Sequence, residues 1–254
     1  MDHSPVPGRP IWVDLFTSDP ERAQRFYSGL FGWSAHDTGP EYGGYLLFER
    51  DGVPVAGCMR NDGTSGSPDA WTVYLESNNA SDTARMAEAN GGQVLVEAMQ
   101  VGDLGHMAVV KDPGGATIGA WQPLEHGGFA GGRGHGLPVW FEVAAPDYER
   151  AIAFYENVFG WVTHTMVDSP ELRYTTLGRD DDALAGIMAA PVGPGVPPPA
   201  WDFYIDVTDT DTTVDQAVAA GAAVTTPAED TPYGRLAALT DPTGVRFLLM
   251  GPNT

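Results

Sequence analysis

Hydrophobic positions along the chain change period in a set order, and the order repeats. From Ile11 to Phe16 apolar residues run almost unbroken around Asp14, as in a short buried strand. From Ala23 the apolar positions fall at i, i+3, i+4, i+7 and i+8, taking in Phe26, Tyr27, Leu30 and Phe31. That spacing lays one apolar stripe on a helix. Asp19 stands where such a helix is capped, Pro20 at its first position and Gly32 beyond its end. The pattern then predicts short strands near 33–38, 43–49 and 53–59, and a further strand from Ala70. A second helix is predicted from about Ser81 to Asn90, ended by Gly91, and three closing strands follow. The last two meet at Asp112-Pro113-Gly114-Gly115, where proline presets the turn and glycine permits positive φ.

The same succession returns later in the chain. Phe26-Tyr27 recurs as Phe154-Tyr155, and Phe31-Gly32-Trp33 as Phe159-Gly160-Trp161, both 128 residues on. Ala70-Trp71 recurs as Ala200-Trp201 after 130 residues, and Asp112-Pro113-x-Gly115 as Asp241-Pro242-x-Gly244 after 129. An offset this steady over four motifs identifies a tandem duplication. Asp147 caps the second copy's helix, whose stripe is Ala151, Phe154, Tyr155, Val158 and Phe159. Between the copies, Gly127 to Gly134 reads as a flexible linker. The expected division is a first domain over 8–124, a glycine-rich linker over 125–136 and a second domain over 137–252. Each domain holds two βαβββ modules, and the repeat is compatible with modules pairing within a half or across halves.

Composition narrows the partners. The net charge is −21, with 17 acidic and 7 basic side chains in residues 1–126 and 17 and 6 in residues 127–254. Acidity spread over both halves repels phosphate backbones and anionic lipid, so neither nucleic acid nor membrane is an expected partner. The lone Cys58 excludes an intrachain disulfide and a cysteine-based metal site. Met1-Asp2-His3-Ser4-Pro5 carries no basic region followed by an apolar run, and no stretch reaches membrane-spanning length. A cytoplasmic monomer or homodimer with a small-molecule partner is the expectation.

The module order, the Phe-Tyr and Phe-Gly-Trp helix ends (26–33 and 154–161) and the Asp-Pro-x-Gly turns resemble the vicinal oxygen chelate superfamily. Glyoxalase I, bleomycin-resistance proteins, fosfomycin-resistance enzymes and extradiol dioxygenases belong to it. The resemblance covers nearly the whole chain outside the linker and the first few residues. It implies an α+β fold of four βαβββ modules, forming two glyoxalase-like domains with cupped, mainly antiparallel mixed sheets. It also implies a divalent metal held by His, Gln or Glu on the first strands and closing strands of the modules. Carried over to this chain, the first-strand position falls on Trp12, Trp71, Trp140 and Trp201. The closing-strand position falls on Gly119 and Leu248, and the remaining positions near Ala56-Gly57 and Ala185-Gly186. None of these side chains offers the oxygen or imidazole donor that such a cation needs. A shift of one residue would bring up Val13, Val139, Thr72 or Asp202 instead, and the six histidines (3, 36, 106, 126, 135, 164) show no ligand-like pair. No metal and no cofactor are expected.

Strand alternation groups the remaining candidates. Trp12, Asp14 and Phe16 share one face, opposite Ile11, Val13 and Leu15; Trp140 and Glu142 share another, opposite Val139, Phe141 and Val143. Thr117, Gly119 and Trp121 on one closing strand, and Arg246, Leu248 and Met250 on the other, would complete the walls. The tryptophans read either as core filling or as the walls of a pocket for a flat, largely apolar ligand. On the pocket reading the ligand-binding candidates are Trp12, Phe16, Trp71, Trp121, Trp140, Trp201, Arg235 and Arg246. Asp14 and Glu142 hold matching places and read as structural hydrogen-bond acceptors, or as general bases or ligand anchors. His106 aligns with Arg235 on the penultimate strands, which makes Asp14, Glu142 and His106 the catalytic candidates. Tyr42, Tyr45 and Tyr174 lie near strand starts, where they could rim a pocket or cover an edge, and Cys58 reads as a small core residue. The expected function is metal-free binding of a flat, largely apolar metabolite or antibiotic. The alternatives are a metal-independent isomerase, hydratase or hydroxylase acting on an aromatic or polyketide-like substrate, and a metal-dependent glyoxalase or dioxygenase.

Overall fold

The computed structural model describes residues 7–129, 132–191, 193 and 198–254. The start of the chain read above, His3 included, and Ala130-Gly131 of the linker lie outside the described residues. The first module is β1 (Pro10–Thr17), α1 (Pro20–Phe31), β2 (Ser34–Asp37), β3 (Leu46–Arg50) and β4 (Val53–Arg60). The second is β5 (Ala70–Glu76), α2 (Ala80–Ala89), β6 (Gln93–Val101), β7 (Gly105–Lys111) and β8 (Thr117–Pro123). The third is β9 (Pro138–Ala145), α3 (Tyr148–Phe159), β10 (Thr163–Asp168), β11 (Arg173–Leu177) and β12 (Ala185–Ala189). The fourth is β13 (Trp201–Asp206), α4 (Thr210–Ala219), β14 (Ala223–Thr231), β15 (Gly234–Thr240) and β16 (Arg246–Gly251). Among the described residues no helix is long and apolar enough to cross a membrane.

The helices begin and end where the sequence places them. Asp19 accepts a hydrogen bond from the Arg22 N–H, Pro20 opens α1, and Gly32 closes it at φ 69°, donating to the Ser28 carbonyl. Asp147 and Gly160 repeat the device on α3. The strand expected from residue 43 starts at Leu46 instead. Pro40–Tyr42 take a 3-10 turn, and Gly43 and Gly44 adopt positive φ, which delays entry into the sheet.

The strands form two sheets, in the orders β2-β3-β4-β1-β5-β8-β7-β6 and β10-β11-β12-β9-β13-β16-β15-β14. Each module's first and closing strands run parallel, whereas its hairpins are antiparallel, so both sheets are mixed. The parallel registers set Asp14 beside Gly57, Tyr74 beside Gly119, Glu142 beside Gly186 and Tyr204 beside Leu248. These four pairs are therefore equivalent points of the four modules.

The sheets follow the sequence halves, but the compact units do not. One unit combines the residues up to Trp12 with Val73–Gly128 and Phe141–Trp201, and thus modules two and three. The other combines Val13–Thr72, Phe129–Trp140 and Asp202–Thr254, and thus modules one and four. A buried hydrogen-bonded triad accounts for the pairing in each unit. In the second unit Tyr27 on α1 donates to Asp241 at 2.9 Å and accepts from the Trp71 indole at 3.1 Å. In the first, Tyr155 on α3 donates to Asp112 at 2.9 Å and accepts from Trp201 at 2.7 Å. The same aspartates bind their own turns, Asp112 accepting from the N–H groups of Gly115 and Ala116, and Asp241 from those of Thr243 and Val245. Burial, and then the facing carboxylate, raises both phenols well above the ordinary tyrosine range, which keeps them donors.

Candidate functional site

The two faces of each sheet carry different chemistry, and hydrogen bonds to the helices say which is which. Thr175 on β11 contacts the Tyr148 hydroxyl at the start of α3, so Thr175 faces the helix and its neighbour Tyr174 faces away. Tyr174 donates to Glu142 at 2.7 Å on that opposite face. Tyr45, just before β3, donates in the same way to Asp14 at 2.5 Å. Both carboxylates thus accept a phenol hydrogen bond, as a carboxylate leaving water requires.

The adjoining closing strand makes the room. A Cβ at Gly57 would overlap the Tyr45 hydroxyl and the Asp14 carboxylate, and one at Gly186 would overlap the Tyr174 hydroxyl. Glycine at these points is therefore part of the carboxylate–phenol arrangement. Phe16 lies on the same face of β1, two residues beyond Asp14, partly buried.

Modules two and four use the equivalent points differently. Tyr74 lies over Gly119, where a Cβ would overlap its ring. Tyr204 packs instead with Leu248 and Ala238 in a buried cluster, against which Val139, Trp140, Leu236 and Met250 are laid. Arg246 pairs with Asp202 at 3.2 Å at the margin of that face. Burial raises the Asp202 carboxyl above the usual range, and Arg246 opposes the shift. On β8, Trp121 donates to the His126 carbonyl at 2.9 Å, and the His126 ring stands edge-on to Trp12 and Trp121.

Four of the sequence-derived placements change. Trp71 and Trp201 are not equivalent to Trp12 and Trp140. With Asp14 matched to Tyr74 and Glu142 to Tyr204, the tryptophan counterparts are Thr72 and Asp202. Trp71 and Trp201 fall one residue off, on the helix-facing side, 9% and 4% exposed, with their indole N–H groups given to Tyr27 and Tyr155. His106 and Arg235 are also on the helix side. His106 pairs with Gln122 on the face of β7 that carries fully buried Ala108 and Val110. Its Nδ1 is buried without a hydrogen-bond partner among the described residues. Arg235 reaches Asp211 on α4 at 2.8 Å and Asp230 at 3.0 Å, tying strand to helix. Cys58 is fully buried, and burial, reinforced by Asp14, pushes its thiol up to about 12, which leaves it unreactive.

Sequence reasoning left Tyr74, Tyr204 and the roles of Gly57, Gly186 and His126 unassigned. Their signal was present: Tyr45 and Gly57 recur as Tyr174 and Gly186 after 129 residues, and Tyr74 as Tyr204 after 130. A divalent metal does not fit these points. Asp14 and Glu142 bring one carboxylate each, the residues beside the four points are three glycines and a leucine, and among the described residues no three His, Cys, Asp or Glu side chains gather to hold a cation.

The sequence model of the Glyoxalase/Bleomycin resistance protein/Dioxygenase superfamily matches residues 9–119 and 138–249. The chain belongs to that superfamily. CFP32 of Mycobacterium tuberculosis, whose name carries a provisional glyoxylase assignment, is 36% identical over 96% of this chain and 95% of its own. The anthracycline biosynthesis protein DnrV of Streptomyces peucetius is 34% identical, covering 95% of this chain and 92% of its own. Among solved structures, the 2,3-dioxygenase LapB from Pseudomonas sp. KL28 superposes with a TM-score of 0.64 at 13% identity, over 98% of this chain and 94% of that one. The Mn(II)-bound glyoxalase from Novosphingobium aromaticivorans gives 0.62 at 14%, over 96% and 82%. At such identities the likeness concerns the fold.

Proposed function

We propose that this protein binds a flat, largely apolar metabolite or antibiotic without a metal, with a phenol–carboxylate pair, Asp14–Tyr45 in one unit or Glu142–Tyr174 in the other, as the polar anchor beside aromatic side chains. The observation that carries this reading is the pair of phenol–carboxylate hydrogen bonds set against glycines that cannot ligate a metal. Two relatives named for anthracycline biosynthesis, DnrV and DauV, favour a fused-ring or polyketide-like ligand. Asp14 and Glu142 keep lone pairs that accept a ligand hydroxyl, and the Tyr45 and Tyr174 oxygens, whose single protons go to those carboxylates, accept a second one. Trp12, Phe16 and Trp140 supply apolar area on the same strand faces.

A second reading is favoured by the same hydrogen bonds. A carboxylate that accepts from a phenol forms a proton-transfer pair, suited to a metal-independent isomerisation or hydration of such a ligand. Both readings are tested by titrating chelator-treated protein with a neutral dihydroxyanthraquinone, followed by calorimetry and a thermal shift. Saturable binding is expected, with a stabilisation of about 2.7 kcal/mol at a hundred times Kd. Stabilisation by divalent metal with no response to the quinone would overturn the proposal. If a bound compound is converted, Asp14→Asn and Glu142→Gln separate the readings: loss of conversion with binding kept marks the enzyme.

A further inference from the structure

We infer that the ligand's ring is taken up by a single slot between the indoles of Trp12 and Trp121, and that the His126 imidazole fills this slot until the ligand displaces it. The inference rests on the aromatic-ligand reading above and locates it in the first half of the chain. The His126 ring lies 4.4 Å from Trp12 at 89° and 5.7 Å from Trp121 at 73°, edge-on to both. Covered in this way, Trp12 is 3% and Trp121 7% exposed, on strand faces that carry no helix. The imidazole meets both indoles by its edge and so occupies the space beside each that a flat ligand would take. Burial lowers the imidazole's titration below its ordinary range, so at neutral pH the ring is uncharged.

The backbone around His126 is held by hydrogen bonds of its own. Its N–H donates to the Leu104 carbonyl at 3.0 Å and its carbonyl accepts from the Trp121 indole at 2.9 Å. Two residues on, Gly128 takes φ +82°, and a Cβ there would overlap the Ile11 carbonyl. The segment is thus held against β1, and turning the imidazole out gives up its edge-on contacts with the two indoles. Each edge-to-face contact is worth about two- to tenfold in an equilibrium. A fused ring system covers far more indole surface than an imidazole and outcompetes it.

Among the described residues the second half lacks the second indole of such a slot. Met250 stands two residues after Leu248 as Trp121 stands two after Gly119, and it packs on the Tyr204 cluster. One ligand per chain is therefore expected.

The test titrates chelator-treated full-length protein with neutral dihydroxyanthraquinone, read by indole quenching and by calorimetric stoichiometry. His126→Ala is expected to bind about tenfold tighter than the parent, with one site. His126→Phe, a tighter plug, is expected to bind no better than the parent, and adding Trp121→Ala to His126→Ala is expected to abolish the gain. Should His126→Ala fail to fold, His126→Gln gives the same reading. A parent that binds while the alanine variant is unchanged or weaker, or two sites per chain, overturns the slot and leaves the binding function standing. No binding by parent or variants overturns the binding function, and the slot with it.

Discussion

On the side of the sheets that meets the helices, Tyr27, Asp241 and Trp71 form one hydrogen-bonded triad, and Tyr155, Asp112 and Trp201 form its repeat. On the opposite side the repeat holds at some points and fails at others. Asp14–Tyr45 is echoed by Glu142–Tyr174. Gly119, by contrast, is answered by Leu248, and Trp121 by Met250. The recurring motifs that announce the duplication (Phe-Tyr, Ala-Trp, Asp-Pro-x-Gly) thus belong largely to the side that holds the protein together. The side where the copies diverge is where a ligand would be distinguished.

Removing a triad acid is the harshest way to break this contrast. Asp112 is 4% exposed and serves both Tyr155 and its own turn, so Asp112→Ala strands a buried phenol and two backbone N–H groups. A loss of about 4 kcal/mol in urea unfolding is expected, and Asp241→Ala should match it. Tyr27→Phe and Tyr155→Phe should each cost about 3 kcal/mol, since an indole N–H and a carboxylate lose their partner. Unequal costs for the two tyrosines would show that the triads are not energetic copies.

The next effect concerns the glycines of the opposite side. Gly57→Ala pushes into Tyr45 and Asp14, and Gly186→Ala into Tyr174. Each should cost about 2 kcal/mol of stability, and Gly57→Ala, in the half that carries the slot, should also weaken quinone binding. A Gly57→Ala variant that loses stability while keeping full affinity would separate the carboxylate–phenol pair from the ligand. Asp14→Asn and Glu142→Gln preserve shape and remove charge, so each should move stability by about 1 kcal/mol, while Asp14→Asn alone, in the half that carries the slot, should lower calorimetric affinity, by about tenfold. Equal losses at both would favour two anchors, and a loss at Asp14 alone would favour the first half.

How much of this was legible in the sequence follows the same division. Caps, stripes and turn motifs gave the helices and the repeat, because these signals are local: Asp19 and Gly32 act on the helix they bound. What escaped was register. Trp12 and Trp71 look alike beside their first strands, but the pairing of Asp14 with Gly57 and of Tyr74 with Gly119 offsets them by one residue. In a strand one residue is the difference between faces, so Trp71 and Trp201 turned toward helix tyrosines. His106 and Arg235 aligned correctly with each other, but the face they share was fixed by cross-strand partners such as Gln122. Only long-range pairing supplies that information. The phenol–carboxylate contacts also join residues 31 and 32 positions apart, beyond any local pattern.

The smallest expected effect is on pH dependence, and it probes the boundary between the two sides. Burial lowers the His126 imidazole below its ordinary value of 6.5, so the unfolded chain takes up a proton before the folded one does. Over that window the unfolded state binds more protons, and stability must rise with pH. Acidification from about pH 7 should therefore destabilise the protein as it passes 6.5, down to the folded imidazole's own titration. At most one proton is exchanged at this residue, so the slope is shallow beside the mutational losses above. His126→Gln should remove that part of the slope in urea midpoints measured between pH 7.5 and about pH 5. If the ring leaves its slot on ligand binding, saturating quinone should flatten the slope in the parent as the substitution does. A slope unaltered by ligand would mean that His126 stays buried between Trp12 and Trp121, as part of the core.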